Sequence, residues 1–372
     1  MIFFLILYFL VYSCMHAFVY LRVRHSLPGI AWVRWTAIGF CAAMVLSPIG
    51  ARFLAETGFH LPGRVLGLVS LMWMGMLTLA VFGTAVLRVG DGILALSRHR
   101  FGARVPASTG GIGVALLTAV VVLATVYGVF ESGRLVVERV VIESPRLAAD
   151  AAPLRIVQIS DVHVGNLVSG KRARKVADAV QRQKPDLIVC TGDLIDGPMP
   201  DEDEVAAAFA SMEAPLGKFA ITGNHEVYYG EQEAIGFMER CGFRVLDTRS
   251  ARVDERLVVV GISETYYYDK QPEAPVLAEA RGPGFSLLLK HQPVIDQASL
   301  GLFDLQLSGH THGGQIWPMH HVVGLFYPHL AGMYRLDKGS AVYTSRGTAT
   351  WGPQMRIFSP PELTVIEIRP LS

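Results

Sequence analysis

The 372-residue chain is 51% hydrophobic and only 17% charged, well below the roughly 25% charge of an ordinary soluble domain. Its net charge of +1 hides a division: residues 1–132 hold nine Arg, no Lys and three acids (Glu56, Asp91 and Glu131), while the remainder carries five more acids than bases. That composition argues against a wholly soluble protein, and the sign of the second half argues against nucleic acid as its partner. The four cysteines, Cys14, Cys41, Cys190 and Cys241, have no C-x-x-C spacing, so neither a disulfide framework nor a zinc ribbon is indicated.

In chain order, Met1–Leu21 is an uncharged run of membrane-spanning length. Trp35–Ala51 is uncharged but short, and spans only if Gly29–Val33 joins it with Arg34 snorkelling. Val65–Leu87 and Val105–Phe130 are again uncharged throughout. The first run lacks a basic leader and a small-residue cleavage site, so it reads as a retained helix. With four spans, the first and third loops hold Arg22, Arg24, Arg34, Arg88, Arg98, Arg100 and Arg104, against Arg52 and Arg64 in the second. The positive-inside rule then puts those two loops in the cytoplasm and both termini outside it; three spans would reverse the parity. The expected organisation is a membrane domain over 1–132 with about four helices, a linker over 133–153 and a second domain over 154–372.

From Leu154 the pattern turns to short apolar runs that end in polar clusters. Leu154–Ser160 reads as a strand leading into Asp161 and His163. Ser169–Gln183 follows as an amphipathic helix, and Leu187–Cys190 as a strand leading into Gly192-Asp193, which together make a parallel crossover unit. Val205–Met212 and Glu231–Cys241 read as helices on either side of Phe219–Ile221, a strand leading into Gly223-Asn224-His225-Glu226. Later runs are strands: Val258–Ile262, Ser286–Leu289 before His291, Leu305–Leu307 before Gly309-His310-Thr311-His312, Ala341–Ser345 and Leu363–Ile368. Any one of these clusters alone is an ordinary turn or cap. Five of them at strand carboxyl ends, where α/β sheets gather ligand sites, make one oxygen-and-imidazole set without thiolate. Such a set suits Mn²⁺, Fe²⁺ or Zn²⁺ better than Ca²⁺.

The series Asp161-x-His163, Gly192-Asp193-x-x-Asp196, Gly223-Asn224-His225-Glu226, His291 and Gly309-His310-x-His312 resembles the calcineurin-like metallophosphoesterases over most of residues 154–368. The longer Gly309–Gln315 run, Ser345-Arg346-Gly347, Pro360-Pro361-Glu362 and the leading spans are most similar to the bacterial membrane-anchored branch. The resemblance implies a multi-span helical membrane region followed by an α/β domain of two β-sheets packed face to face and flanked by helices. It implies one divalent metal held by Asp161, His163, Asp193 and His312, and a second held by Asp193, Asn224, His291 and His310. Asp193 then bridges, and a hydroxide between the ions attacks phosphorus. His225 is implied as the non-ligand proton donor, with Asp196 holding its other ring nitrogen; for Glu226, ligation and loop structure both stay open.

Phosphoprotein phosphatases of the family follow Gly-Asp-x-x-Asp with Arg, whereas Gly197 follows Asp196 here, so that subclass is not expected. Arg346 is a candidate replacement cation for substrate phosphate. Trp317, with His320, His321, Phe326, Tyr327, Tyr334 and Tyr266–Tyr268, is a candidate aromatic lip for a lipid headgroup. The expected activity is hydrolysis of a phosphoester or pyrophosphate on a small molecule or lipid at the bilayer, with no obligate protein partner and no nucleic acid. The alternatives are a metal-dependent nuclease or nucleotide phosphodiesterase, and a non-catalytic membrane sensor that keeps the fold.

Overall fold

The apolar runs of the first half fold as four long helices in a computed structural model that describes residues 2–101, 111–165, 167–168 and 170–371. They are α1 (Ile2–Val23), α2 (Ala31–Glu56), α3 (His60–Phe101) and α4 (Gly111–Ser132), each long and apolar enough to cross a bilayer. The short second run therefore extends at both ends and takes in Arg34. The expected span over Val105–Phe130 is seen from Gly111 onward; its first residues, like Arg104 of the third loop, Met1, Ser169 and Ser372, lie outside the described residues. Arg88, Arg98 and Arg100, expected in the third loop, lie on α3, which runs well past Leu87. Gly90 and Gly92 lie on that continuation without ending the helix. Asp91 on its continuation meets Arg22 of α1 at 2.8 Å, and the Arg88 guanidinium lies over the Phe18 ring at 5.1 Å.

Several polar side chains of these helices are hydrogen-bonded, which lowers the cost of placing them away from water. Trp73 Nε1 donates to His16 Nε2 at 2.9 Å, His16 Nδ1 donates to the Tyr12 carbonyl at 2.8 Å, and Tyr8 donates to the Val45 carbonyl at 3.1 Å. Leu10, Leu46, Leu61, Leu123 and Phe130 stay on the exposed outer faces.

The chain divides into two compact units, one over Met1–Phe130 with Gly352–Met355 and the other over Glu131–Trp351 with Arg356–Ser372. The second unit starts with β1 (Val136–Ser144), β2 (Leu154–Ile159), α5 (Gly170–Gln181), β3 (Leu187–Thr191), α6 (Glu202–Ala210) and β4 (Lys218–Ile221). Helices α7 (Asn224–Tyr229) and α8 (Glu231–Arg240) lead to β5 (Arg244–Val245), β6 (Arg249–Arg252) and β7 (Leu257–Ile262). Next come α9 (Glu264–Tyr268), α10 (Ala274–Ala280), β8 (Phe285–Lys290), β9 (Leu305–Ser308) and α11 (Met319–Val323). The last three strands are β10 (Gly332–Arg335), β11 (Ala341–Thr344) and β12 (Glu362–Pro370).

Two six-stranded sheets result, ordered β1-β12-β2-β3-β4-β5 and β10-β11-β9-β8-β7-β6. Their central strands are parallel, with Val157 opposite Ile188 in the first and Leu287 opposite Leu305 in the second. Because strand side chains alternate faces, Ile156, Leu187, Val189, Ile221, Val259, Leu287, Leu289, Leu305 and Leu307 make one fully buried layer between the sheets. Each such side chain contributes about 1.5–3 kcal/mol. Val157, Ile159, Ile188 and Cys190 face the other way, onto α5, α6 and α8. Val258, Val260 and Leu288 face Leu277 and Ala280 of α10. Helices cover both outer faces, which is why these strands read as continuous apolar runs rather than alternating ones.

The stretch 133–153 is not a plain linker. Nine of its residues form β1, paired in parallel with all of β12 from Val136 opposite Glu362 to Ser144 opposite Pro370. As an edge strand it alternates half-buried and exposed positions along Val-Val-Glu-Arg-Val-Val-Ile-Glu, and its charges conceal it from a search for apolar runs.

Candidate metal centre

The inner layer gives way to the site at Gln158, whose Nε2 donates to Thr191 Oγ1 at 2.9 Å and to the Ser308 carbonyl of the opposite sheet at 3.0 Å. Just beyond, the ends of β2, β3, β8 and β9, with the first turn of α7, deliver every residue of the expected ligand set. The chain turns sharply there: Asp161, His163, Asp193, His310 and His312 take left-handed φ values between 51° and 70°, a conformation costing about 1–2 kcal/mol for a residue with a Cβ. At Gly309 an added Cβ would strike Ser160 Oγ and Asp161 Oδ2, and at Gly223 it would strike Asp193 Oδ1. Only glycine lets the backbone come so close to these carboxylates.

Two groups of lone-pair atoms face each other across this space. In one, His163 Nε2 and His312 Nε2 are 3.1 Å apart, Asp161 Oδ1 lies 3.5 Å from His312 Nε2, and Asp193 Oδ2 lies 3.9 Å from His163 Nε2. In the other, His291 Nε2 is 3.1 Å from Asp193 Oδ2 and 3.2 Å from both His310 Nδ1 and Asn224 Oδ1, with 2.8 Å between the last two. Asp193 belongs to both. All six other ligand candidates are buried or, for His310, largely so. Buried carboxylates with imidazole nitrogens aimed at one another fit divalent cations, which replace the missing donors. Asp161–His163–His312 and Asp193–His291–His310 each bring their ligand atoms within 4.8 Å of one another.

Electrostatics in the metal-free chain follow from this crowding. Burial pushes the Asp161 carboxyl up, whereas Asp193, despite the same burial, is held well below the usual range by His291. His291 in turn is raised well above the ordinary value by Asp193 against its own burial. Burial and the neighbouring His291 charge push His310 down to about 3. His312 is driven well below its ordinary value by burial and then by Arg356. His310 and His312 are thus neutral, the form in which imidazole ligates.

His225 belongs to a third group with His163 and Asp193, also within 4.8 Å, so proximity alone does not separate it from the ligands. Its Nδ1 lies 2.5 Å from Asp196 Oδ1, on a side chain that is 39% exposed. Burial opposes its charged form, yet the Asp196 hydrogen bond and the charges of Asp193, Asp196 and Glu226 carry it up to about 9. Asp196, which burial would raise, is brought down to about 2 by the His163 imidazole 3.8 Å away and by its hydrogen bond to His225. Glu226 is fully buried, and its two oxygens accept the backbone N–H groups of Asp193 (2.8 Å), Gly223 (2.6 Å) and Ile195 (3.0 Å). It braces the loop that carries Asp193.

The calcineurin-like phosphoesterase family pattern matches residues 154–314. A metallophosphoesterase of Aquifex aeolicus is 34% identical over 256 residues, 67% of this chain and 98% of that protein. The chain belongs to the calcineurin-like metallophosphoesterase family. A Campylobacter jejuni metallophosphoesterase is 32% identical over 239 residues, 63% of each chain. The likeness extends beyond the metal-site domain in a Danio rerio transmembrane protein with a metallophosphoesterase domain, 28% identical over 94% of this chain and 83% of its own.

Within this metallophosphoesterase, the two candidate substrate-binding residues sit in different settings. The Arg346 guanidinium is ion-paired: Nη2 with Glu138 at 2.6 Å, and Nε with Glu362 at 3.0 Å and the Pro360 carbonyl at 3.2 Å. Two carboxylates neutralise it and tie β1 to the start of β12. Trp317 sets its ring edge-on to Phe358, with 6.3 Å between centroids, and both are exposed.

Two further residues have contacts that the sequence reading did not foresee. Arg356 is fully buried and donates to the carbonyls of His312 (3.0 Å), Arg346 (2.7 Å), Ser359 (3.1 Å) and Ala349, with Nη2 3.0 Å from His312 Nδ1. Burial brings it down to about 9. Tyr327, expected in the aromatic lip, instead accepts from His310 Nε2 at 2.9 Å and donates to Gln292 Oε1 at 2.9 Å. Gln292 Nε2 donates onward to Glu264. This chain turns His310 so that Nδ1 faces the ligand group, as the donation of His291 Nδ1 to the Thr191 carbonyl at 2.8 Å does for Nε2. Neither residue lies in a motif, and both reach the site from loops remote in sequence.

Proposed function

We propose that this chain is a membrane-anchored phosphoester hydrolase working with two divalent cations, Mn²⁺, Fe²⁺ or Zn²⁺, on a phosphorylated small molecule or lipid at the bilayer. The observation that carries the reading is the position of Asp193 between two ligand groups with the His225–Asp196 pair beside it. Asp161, His163, Asp193 and His312 hold one ion; Asp193, Asn224, His291 and His310 hold the other. When bound, the cations lower the pKa of water and neutralise charge that develops on phosphoryl oxygens. Glu226 keeps Asp193 in place, Tyr327 and the Thr191 carbonyl keep His310 and His291 turned inward, and Arg356 holds the His312 loop. His225, protonated near neutral pH and fixed through Nδ1 by Asp196, gives a proton from its other nitrogen to the leaving oxygen.

The full chain in detergent, assayed with bis(p-nitrophenyl) phosphate while Mn²⁺ is titrated, should show hydrolysis that saturates with metal and disappears with chelator. No turnover at any Mn²⁺, Fe²⁺ or Zn²⁺ concentration contradicts the reading and favours a binding-only protein. The seven-to-two arginine asymmetry supports a catalytic domain on the extracytoplasmic side.

A further inference from the structure

His225 has two aromatic rings as neighbours that the hydrophobic core does not claim. The Tyr228 ring lies 5.7 Å from the imidazole, tilted by 62°, and the Trp351 ring lies 5.6 Å from it, tilted by 69°. Tyr228 is 68% exposed and Trp351 51%. Both are nonetheless held in position. Tyr228 follows His225 by three residues on α7, and its hydroxyl is 3.5 Å from that of Tyr268. The backbone of Trp351 is gripped on both sides by one amide: Gln315 Nε2 donates to its carbonyl at 2.7 Å, and its N–H donates to Gln315 Oε1 at 3.1 Å. Gln315 ends the run Gly309–Gln315, so the segment that brings two metal-ligand histidines also fixes this ring.

Exposed apolar surface rimmed by polar groups marks a ligand site, and here both rings lie beside the group assigned to protonate the leaving oxygen. We propose that Tyr228 and Trp351 form the leaving-group subsite, which takes a phosphate ester whose departing alcohol carries a ring next to the ester oxygen. The inference rests on His225 as proton donor, since whatever receives that proton departs alongside it. A ring in the leaving group then meets the two aromatic side chains in the edge and offset contacts that such groups favour. A small acyclic alcohol such as ethanol lacks the surface to cover them. Cyclic sugars and nucleosides share the chemistry, and glucose 1-phosphate and adenosine 5′-monophosphate serve as the arms that tell them apart.

The test compares benzyl and ethyl esters of phosphate and of methyl phosphate, hydrolysed by the full chain in detergent with Mn²⁺. Both alcohols are unactivated and differ chiefly in the ring. The benzyl ester should be preferred in kcat/KM by about tenfold, and Tyr228→Leu with Trp351→Leu should narrow that preference to below about threefold. Tyr228→Phe with Trp351→Phe should retain it, and bound metal should be equal in all three proteins. A preference near one in the parent, or a full preference surviving both leucines, overturns the subsite while leaving the hydrolase reading intact. No hydrolysis of either ester or of bis(p-nitrophenyl) phosphate removes the hydrolase reading and the subsite together.

Discussion

Asp196 stabilises the protonated form of His225 and sets its orientation at once, so its amide analogue separates these effects. His225 sits up to about 9 in the metal-free chain because Asp196 accepts its hydrogen bond and Asp193, Asp196 and Glu226 add negative charge; bound cations nearby shift it lower. An acid of raised pKa works below that pKa and fails as pH rises through it. The alkaline limb of kcat/KM should therefore lie at or below about pH 9, and Asp196→Asn should move it to lower pH; an unmoved limb means that His225 is not the titrating acid. Tyr327→Phe deletes one hydroxyl between His310 and Gln292. Metal affinity should fall by roughly 10- to 100-fold, the usual effect of removing a partner of a ligating histidine. Turnover should recover at saturating Mn²⁺, and an unchanged metal titration of the apoprotein contradicts the orienting role. The candidate ligands were legible because each follows an apolar strand closely in sequence. Tyr327 and Arg356 were not, because their partners are set by loops whose paths nothing local dictates.

Among elements, β1 is the clearest case of structure that sequence conceals. Its charged, alternating residues read as a tether, and only the return of β12 from more than two hundred residues away supplies its ladder. The central strands were legible for the opposite reason: buried on both faces, they form apolar runs bounded by turn residues. Short edge strands such as β5, β6 and β10 have too few apolar positions to stand out. Arg346 joins β1 to β12 through Glu138 and the buried Glu362. Removing it leaves a buried carboxylate short of a partner, though Tyr343 and Thr364 still donate to Glu362. Arg346→Ala should lower unfolding stability by about 2 kcal/mol with KM nearly unchanged. A raised KM with unchanged stability instead restores Arg346 to the substrate.

At the scale of the whole molecule, four helices of spanning length precede a domain with the charge density of a soluble protein. Arginines gather where α1 ends and α2 begins and along the end of α3, and the Arg22–Asp91 pair ties α1 to the later part of α3. A reporter fused after Ser372 should be active only when it is a type that works outside the cytoplasm, and signal from a strictly cytoplasmic reporter on a full-length fusion reverses the placement. Metal content measured together with turnover tests the dinuclear assignment most directly. The parent chain should carry close to two divalent ions. Asp193→Ala removes the side chain shared by both ligand groups, so metal and activity should be lost together. His225→Ala should keep both ions while turnover on an alkyl phosphate ester falls by about 10²–10⁴, the span of a lost general acid. Loss of metal from His225→Ala as complete as from Asp193→Ala would make His225 a ligand and contradict the assignment of roles.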